Sequence, residues 1–191
     1  MDGTICLESM LVRTPKFTHG GQIEAAYDAQ TKRYNYDAVF EKIEPIMNRG
    51  DIAIANLEVT LAGPPYSGYP QFSSPDALPV SCKKNGIDVL VTANNHSCDR
   101  RKNGIIRTLD VLDSLQIPHT GTYRNPMERK HHNLLILQKN NIRVGVLNYT
   151  YGTNGLKATK PTSVNYIDTA IMRKDIEQSK TENLDQLIVI T

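Results

Sequence analysis

Tryptophan is absent from this sequence, and its 191 residues hold only three phenylalanines and three cysteines. A chain so poor in large aromatics must build its core from aliphatic side chains, with nine tyrosines as the bulky exceptions. Cys6, Cys82 and Cys98 are odd in number and far apart. That excludes a disulfide framework and a zinc-finger spacing. Cys82 falls in a helical pattern and is expected in the core. Cys98 lies in a loop near the candidate site but has no activating partner in the sequence, so a catalytic thiol is not expected. No run approaches the roughly 18 apolar residues of a transmembrane helix. Met1 to Arg13 lack the charged start and apolar stretch of a signal peptide. Charge of one sign is lacking too, since 22 basic against 20 acidic residues leave a net +2. A chain this close to neutral, without a basic stripe interleaved with aromatics, gives no reason to expect a nucleic-acid partner. The short clusters at 99–102 and 129–132 read as solvated faces or loops, His131 and His132 included. The glycines form no phosphate-cradling loop.

What is present is an ordinary globular composition, 39% hydrophobic and 22% charged, in a chain long enough for one α/β domain. Apolar patterning alternates between short runs and helical spacing. Residues 36–48 are expected as a helix with Val39, Phe40, Ile43, Ile46 and Met47 inward, Asp37 as cap and Gly50 as stop. Residues 51–57 and 88–93 read as buried strands. A helix follows each: one from Ser74-Pro75-Asp76 to Gly86, the other over 103–116 with Ile105, Ile106, Leu109, Leu112 and Leu115 inward. Ile117-Pro118-His119 reads as a third short strand, with His119 structural. Residues 133–148 read as a hairpin turned by Asn140-Asn141, because asparagine tolerates the positive φ of such turns. Residues 149–165 read as an irregular loop. Residues 168–180 give an amphipathic helix with Ile167, Ile171, Met172 and Ile176 as its stripe, and 184–191 a last strand. The alternation implies parallel βαβ units, and the hairpin adds antiparallel pairing. A mixed sheet fits this pattern, and so do two stacked sheets with helices outside.

In open α/β sheets, ligands bind beyond the carboxyl ends of strands. The first strand delivers Asn56-Leu57-Glu58 there, and the second Ala93-Asn94-Asn95-His96 with Asp99 shortly after. The hairpin delivers Asn148-Tyr149-Thr150-Tyr151. Carboxylate, amide oxygen and imidazole suit Zn, Mn or Fe. The plainer alternative is a solvated Glu58 and an Asn-Asn-His run that serves turn and capping chemistry. Asn94, Asp99 and Tyr149 are further candidates, for substrate contact.

Gly50-Asp51 through Asn56-Leu57-Glu58, Ala93-Asn94-Asn95-His96 with Asp99, Gly104-Ile105, Thr108-Leu109 and Ile117-Pro118-His119-Thr120-Gly121 together resemble the CapA family of poly-γ-glutamate capsule-synthesis proteins. The resemblance spans residues 17–191 as a partial domain and leaves 1–16 as an atypical N-terminal segment. It implies an α/β metallophosphatase-like αββα sandwich with mixed sheets, here incomplete. It implies Glu58 as a metal-bridging carboxylate, Asn95 as a ligand through its amide oxygen, and His96 as the catalytic acid or transition-state stabiliser. His19-Gly20-Gly21-Gln22 resembles the end of the family's first motif, which makes His19 a metal ligand. The motif's aspartate position falls on Pro15, and Arg13-Thr14-Pro15-Lys16 is no core strand, so the first strand is expected to be missing. The family's later His-Trp-Gly and His-Pro-His segments have no counterpart before Thr191. The implied cofactor is a divalent metal (Mn, Fe or Zn) in the complete domain, and this chain alone is expected to bind it weakly or not at all and to lack catalytic competence. The implied partner is a polyanionic polymer such as poly-γ-glutamate, and the implied place is the cell envelope. Two other functional classes stand beside the hydrolase: a non-catalytic polymer-binding or assembly component using Tyr66, Tyr69, Tyr149 and Tyr151, and an inert gene fragment.

Overall fold

The computed structural model describes residues 4–6 and 19–191, with side chains from Gly21 onward. In chain order the elements are β1 (Thr4–Cys6), α1 (His19–Ala26), β2 (Tyr27–Asp28), β3 (Arg33–Tyr34), α2 (Asp37–Phe40), α3 (Glu44–Met47), β4 (Ile54–Asn56) and α4 (Ala77–Lys84). Then follow β5 (Val89–Val91), α5 (Arg101–Ser114), β6 (His119–Thr120), β7 (Thr122–Tyr123), α6 (Pro126–His132), β8 (Leu135–Lys139) and β9 (Ile142–Asn148). The rest is β10 (Ser163–Val164), α7 (Thr169–Ser179), a 3₁₀ turn (Lys180–Glu182) and β11 (Gln186–Ile190).

Two sheets are stacked. The first runs β1-β4-β5-β6, all parallel. The second runs β11-β9-β8, with β11 parallel and β8 antiparallel to β9. Their facing surfaces form one apolar layer, in which Ile54, Val89 and Val91 meet Val144 and Val146. On its other face the first sheet presents Ala55 and Leu90 to Phe40, Met47, Leu78, Cys82 and Leu112 of the helices. Cover on both faces explains why β5 is an unbroken Val-Leu-Val run with every residue buried. Burial also pushes the Cys82 thiol up, as suits a core residue.

Several local expectations change. The helix expected over 36–48 is two short helices, because Pro45 has no N–H and its ring clashes with the preceding turn. Phe40 and Met47 stay buried, but Ile46 is 64% exposed. The basic stretch at 129–132, expected as a loop, is the end of α6. Asn125 caps that helix by accepting from the Glu128 N–H, Pro126 opens it, and its basic last turn faces the negative end of the helix dipole. The loop after β9 contains β10, which pairs antiparallel with β7. The hairpin β8–β9 forms as expected, with Asn140 and Asn141 at φ 51° and 64°.

Helix α7 starts within one residue of the expected 168, where Asp168 caps it by accepting from the Ala170 and Ile171 N–H groups. Half of its expected stripe faces inward: Met172 and Ile176 are half-buried on the same side as the buried Asp175 and Ser179, while Ile167 and Ile171 are exposed. Asp175 is drawn in by Arg129 and the Tyr149 hydroxyl, and this polar anchor sets the rotation of the helix. The expectation of a missing first strand is also corrected, since the Thr4–Cys6 backbone pairs with Ile54–Asn56 at the edge of the parallel sheet. Residues 13–16 lie outside the described residues, as does the side chain of His19.

Candidate active site

Strands β4 and β5 run parallel and side by side, so their carboxyl ends open at the same edge. The ladder continues one step beyond β4, where the Leu57 N–H donates to the Val91 carbonyl. This holds the Asn56-Leu57-Glu58 tip beside the Asn94-Asn95-His96 turn. The turn is closed locally: the Asn94 N–H donates to Ser97 Oγ at 2.8 Å, and Ser97 Oγ donates to the Thr92 carbonyl at 2.7 Å.

Side-chain amides tie the two tips together. Asn56 Nδ2 donates to Glu58 Oε2 at 3.2 Å, and Asn94 Nδ2 donates to Asn56 Oδ1 at 3.0 Å and to the Leu57 carbonyl at 2.8 Å. Asn94 Oδ1 accepts the His96 N–H at 3.0 Å. An unbroken relay therefore runs from the Glu58 carboxylate to the backbone of His96. Asn94 is buried with its amide engaged in this relay, and it lines the cavity at the same edge.

His96 is 5% exposed and packs edge-on against Phe72, ring centroids 4.4 Å apart. Its Nδ1 lies 2.8 Å from Asp99 Oδ2, which also accepts the Phe72 N–H at 2.7 Å. Two donors on one carboxylate oxygen assign the ring hydrogen to Nδ1, which leaves Nε2 as the atom that takes up or gives a proton. Nε2 lies 3.5 Å from Asn154 Nδ2, at the outer limit of a hydrogen bond. Asp99, expected at the substrate, is buried and oriented on the imidazole instead. The Tyr149 hydroxyl is likewise turned inward to Asp175 Oδ2, at 2.9 Å. Burial is the first cause that raises its phenol, and the Asp175 contact adds to it.

A cavity of about 430 Å³ opens at the carboxyl ends of β4, β5, β9 and β11, with Asn56, Asn94, Asn95, Asn148, Tyr149 and Tyr151 in its walls. Asn95 is half-buried there, and Glu58 reaches the wall through Asn56. Among the described residues, no group of three or more His, Cys, Asp or Glu gathers to hold a metal. Glu58 and Asn95 carry oxygen donors of the kind hard divalent cations take, fewer than a structural or catalytic zinc site uses. Cys98 is buried with its thiol pushed up by desolvation, the opposite of an activated thiolate.

The model of the bacterial capsule synthesis protein family PGA_cap matches residues 17–191. The chain belongs to this family. No curated protein is similar enough in sequence to count as a relative. Among the solved structures that share the fold are two nucleotidases. A Haemophilus influenzae NAD nucleotidase matches with TM-score 0.54 and 12% identity over 80% of this chain and 27% of its own. A 5'-nucleotidase precursor from Thermus thermophilus matches with TM-score 0.51 and 14% identity over 80% of this chain and 30% of its own. The family member thus has the metallophosphatase-like α/β architecture and spans under a third of the length of these two chains.

The sequence pointed to Glu58, Asn95 and His96, and the structure brings their strand tips together through Asn56 and Asn94. The strand-end rule also delivered Asn56 and Asn148 to this edge but gave them no role of their own. Phe72 and Asn154 arrive from loops, and nothing in their local sequence marks them.

Proposed function

We propose that this domain is of the metal-dependent hydrolase type and acts on a cell-envelope polymer of the poly-γ-glutamate class. The observation that carries the reading is the buried His96–Asp99 pair at the end of the relay from Glu58. Asp99 fixes the tautomer and the ring plane, and Phe72 keeps water from the ring face. His96 Nε2 would first take the proton that the attacking water gives up and then pass it to the leaving group as the scissile bond breaks, a role worth roughly 10²–10⁴ in rate. Glu58 and Asn95 would hold the divalent cation, which when bound polarises the bond under attack and supplies an activated water. Asn94 keeps the His96 backbone in register with the Glu58 tip throughout.

The test is Mn²⁺ binding by calorimetry, with turnover of a phosphodiester and of a γ-glutamyl peptide polymer assayed in parallel. Binding by the wild-type chain that is lost in Glu58→Ala and Asn95→Ala, with turnover lost in His96→Ala, supports the reading. A protein carrying the complete family domain that binds no Mn²⁺ and turns over neither substrate sinks it. A second reading rests on Tyr151, 77% exposed at the cavity mouth: the domain holds the polymer without cutting it. Polymer binding that survives both Glu58→Ala and His96→Ala, in a protein without turnover, selects that alternative.

A further inference from the structure

Asn148 ends β9 in the second sheet, yet its side chain serves the first. It is 1% exposed. Its Oδ1 accepts the Ala93 N–H at 2.6 Å, and its Nδ2 donates to the Ala93 carbonyl at 3.2 Å and the Ile190 carbonyl at 3.4 Å. One amide thus satisfies both main-chain groups of Ala93, as a neighbouring strand would. Ala93 is the residue from which the Asn94-Asn95-His96 turn departs. A second observation makes the placement specific. Gly121 has φ +119°, and a Cβ built on it would lie 2.2 Å from Asn148 Oδ1 and 2.5 Å from the Ala93 nitrogen. The fold leaves just enough room for this amide between the sheets. Behind it, the Asn148 carbonyl accepts from Asn165 Nδ2 at 3.0 Å, so the clamp is itself held.

We infer that Asn148 is a positioning residue: it clamps Ala93 across the two sheets and thereby sets Asn95 and His96 against Glu58. This rests on the function proposed above for the site and adds to it the residue that fixes its geometry. No other side chain bonds both main-chain groups of Ala93 among the described hydrogen bonds. Outer partners of this kind typically govern metal affinity by one or two decades.

The test compares Asn148→Ala with wild type in two measurements, Mn²⁺ affinity by calorimetry and amide hydrogen exchange by NMR. Asn85→Ala serves as control. Asn85 is a buried amide whose Nδ2 donates to the Ser81 carbonyl at 2.7 Å, in the helical layer away from the cavity. Asn148→Ala is expected to weaken Mn²⁺ about 10–100-fold. It is also expected to speed exchange at residues 93–96 by roughly tenfold or more, relative to β8 and α5 of the same protein. The control at a matched loss of melting temperature is expected to do neither. Wild-type exchange at 93–96 in Asn148→Ala, or a uniform rise across the whole chain, overturns the inference. If this chain binds no Mn²⁺, the exchange measurement alone decides the role of Asn148, and the functional reading is judged on the complete domain. Should the alanine variant not fold, Asn148→Thr replaces it, because its single short hydroxyl suits the strand but cannot hold both groups of Ala93. The same local exchange increase is expected there, and its absence is equally fatal.

Discussion

At the scale of single residues, Asp99 and Gly121 carry the sharpest consequences. Asp99 Oδ2 is the meeting point of the His96 ring and the Phe72 backbone. Asp99→Asn replaces the carboxylate by an amide that can present its NH₂ to Nδ1 and favour the other tautomer. Turnover is expected to fall by roughly 10²–10⁴-fold with Mn²⁺ affinity nearly unchanged, read from kcat and calorimetry on the same preparation. An equal fall in both would place Asp99 in folding rather than in orienting the ring. Gly121 sits at a φ that side chains rarely adopt, against the Asn148 amide. Gly121→Ala combines backbone strain with overpacking, and urea unfolding is expected to show a loss of about 2–5 kcal/mol.

At the scale of elements, the capping residues and the two faces of the helices make opposite predictions for similar-looking changes. Asp168 accepts two N–H groups at the start of α7, and Asp168→Ala is expected to cost about 1 kcal/mol in urea denaturation. On that same helix Ile171 points to solvent, so Ile171→Ser is expected to change stability by no more than about 0.5 kcal/mol. Ile105 of α5 lies in a buried cluster with Ala93, Cys98 and Leu109, and Ile105→Ala is expected to cost about 2–5 kcal/mol. A large loss from Ile171→Ser would show that α7 is rotated from the orientation set by Asp175. Local signals told these helices well where to begin. They told less well which side faces in: Met172 and Ile176 share the inner face with Asp175, which pairs with Arg129, while Ile167 and Ile171 are left outside.

At the scale of the whole molecule, the interior holds phenols that resist ionisation. Burial is the first cause raising Tyr36, Tyr123 and Tyr149 above the ordinary tyrosine value. The folded state therefore binds these protons more tightly than the unfolded chain. The stability they contribute is fully present below about pH 10, the unfolded value, and is lost progressively as pH climbs toward the folded values. Phenolate absorbance is expected to show these three of the nine tyrosines appearing only with unfolding, in step with loss of circular dichroism. Their ionisation in the native protein at pH 10 would contradict the burial. Composition, apolar alternation and strand-end residues determined by themselves the α/β class, the order of the main elements, the hairpin and the Glu58 and Asn-Asn-His tips. These are local properties, since backbone preference and periodicity act within a few residues. Two stacked sheets were one of the arrangements the pattern allowed and the one the family resemblance implied; only the tertiary structure decided that Phe72 closes over His96 and Asp99 and that Asn148 reaches across to Ala93. The Phe72–Asp99 and Asn148–Ala93 contacts join residues 27 and 55 positions apart, and no local pattern encodes which distant groups the packing will bring within hydrogen-bond reach.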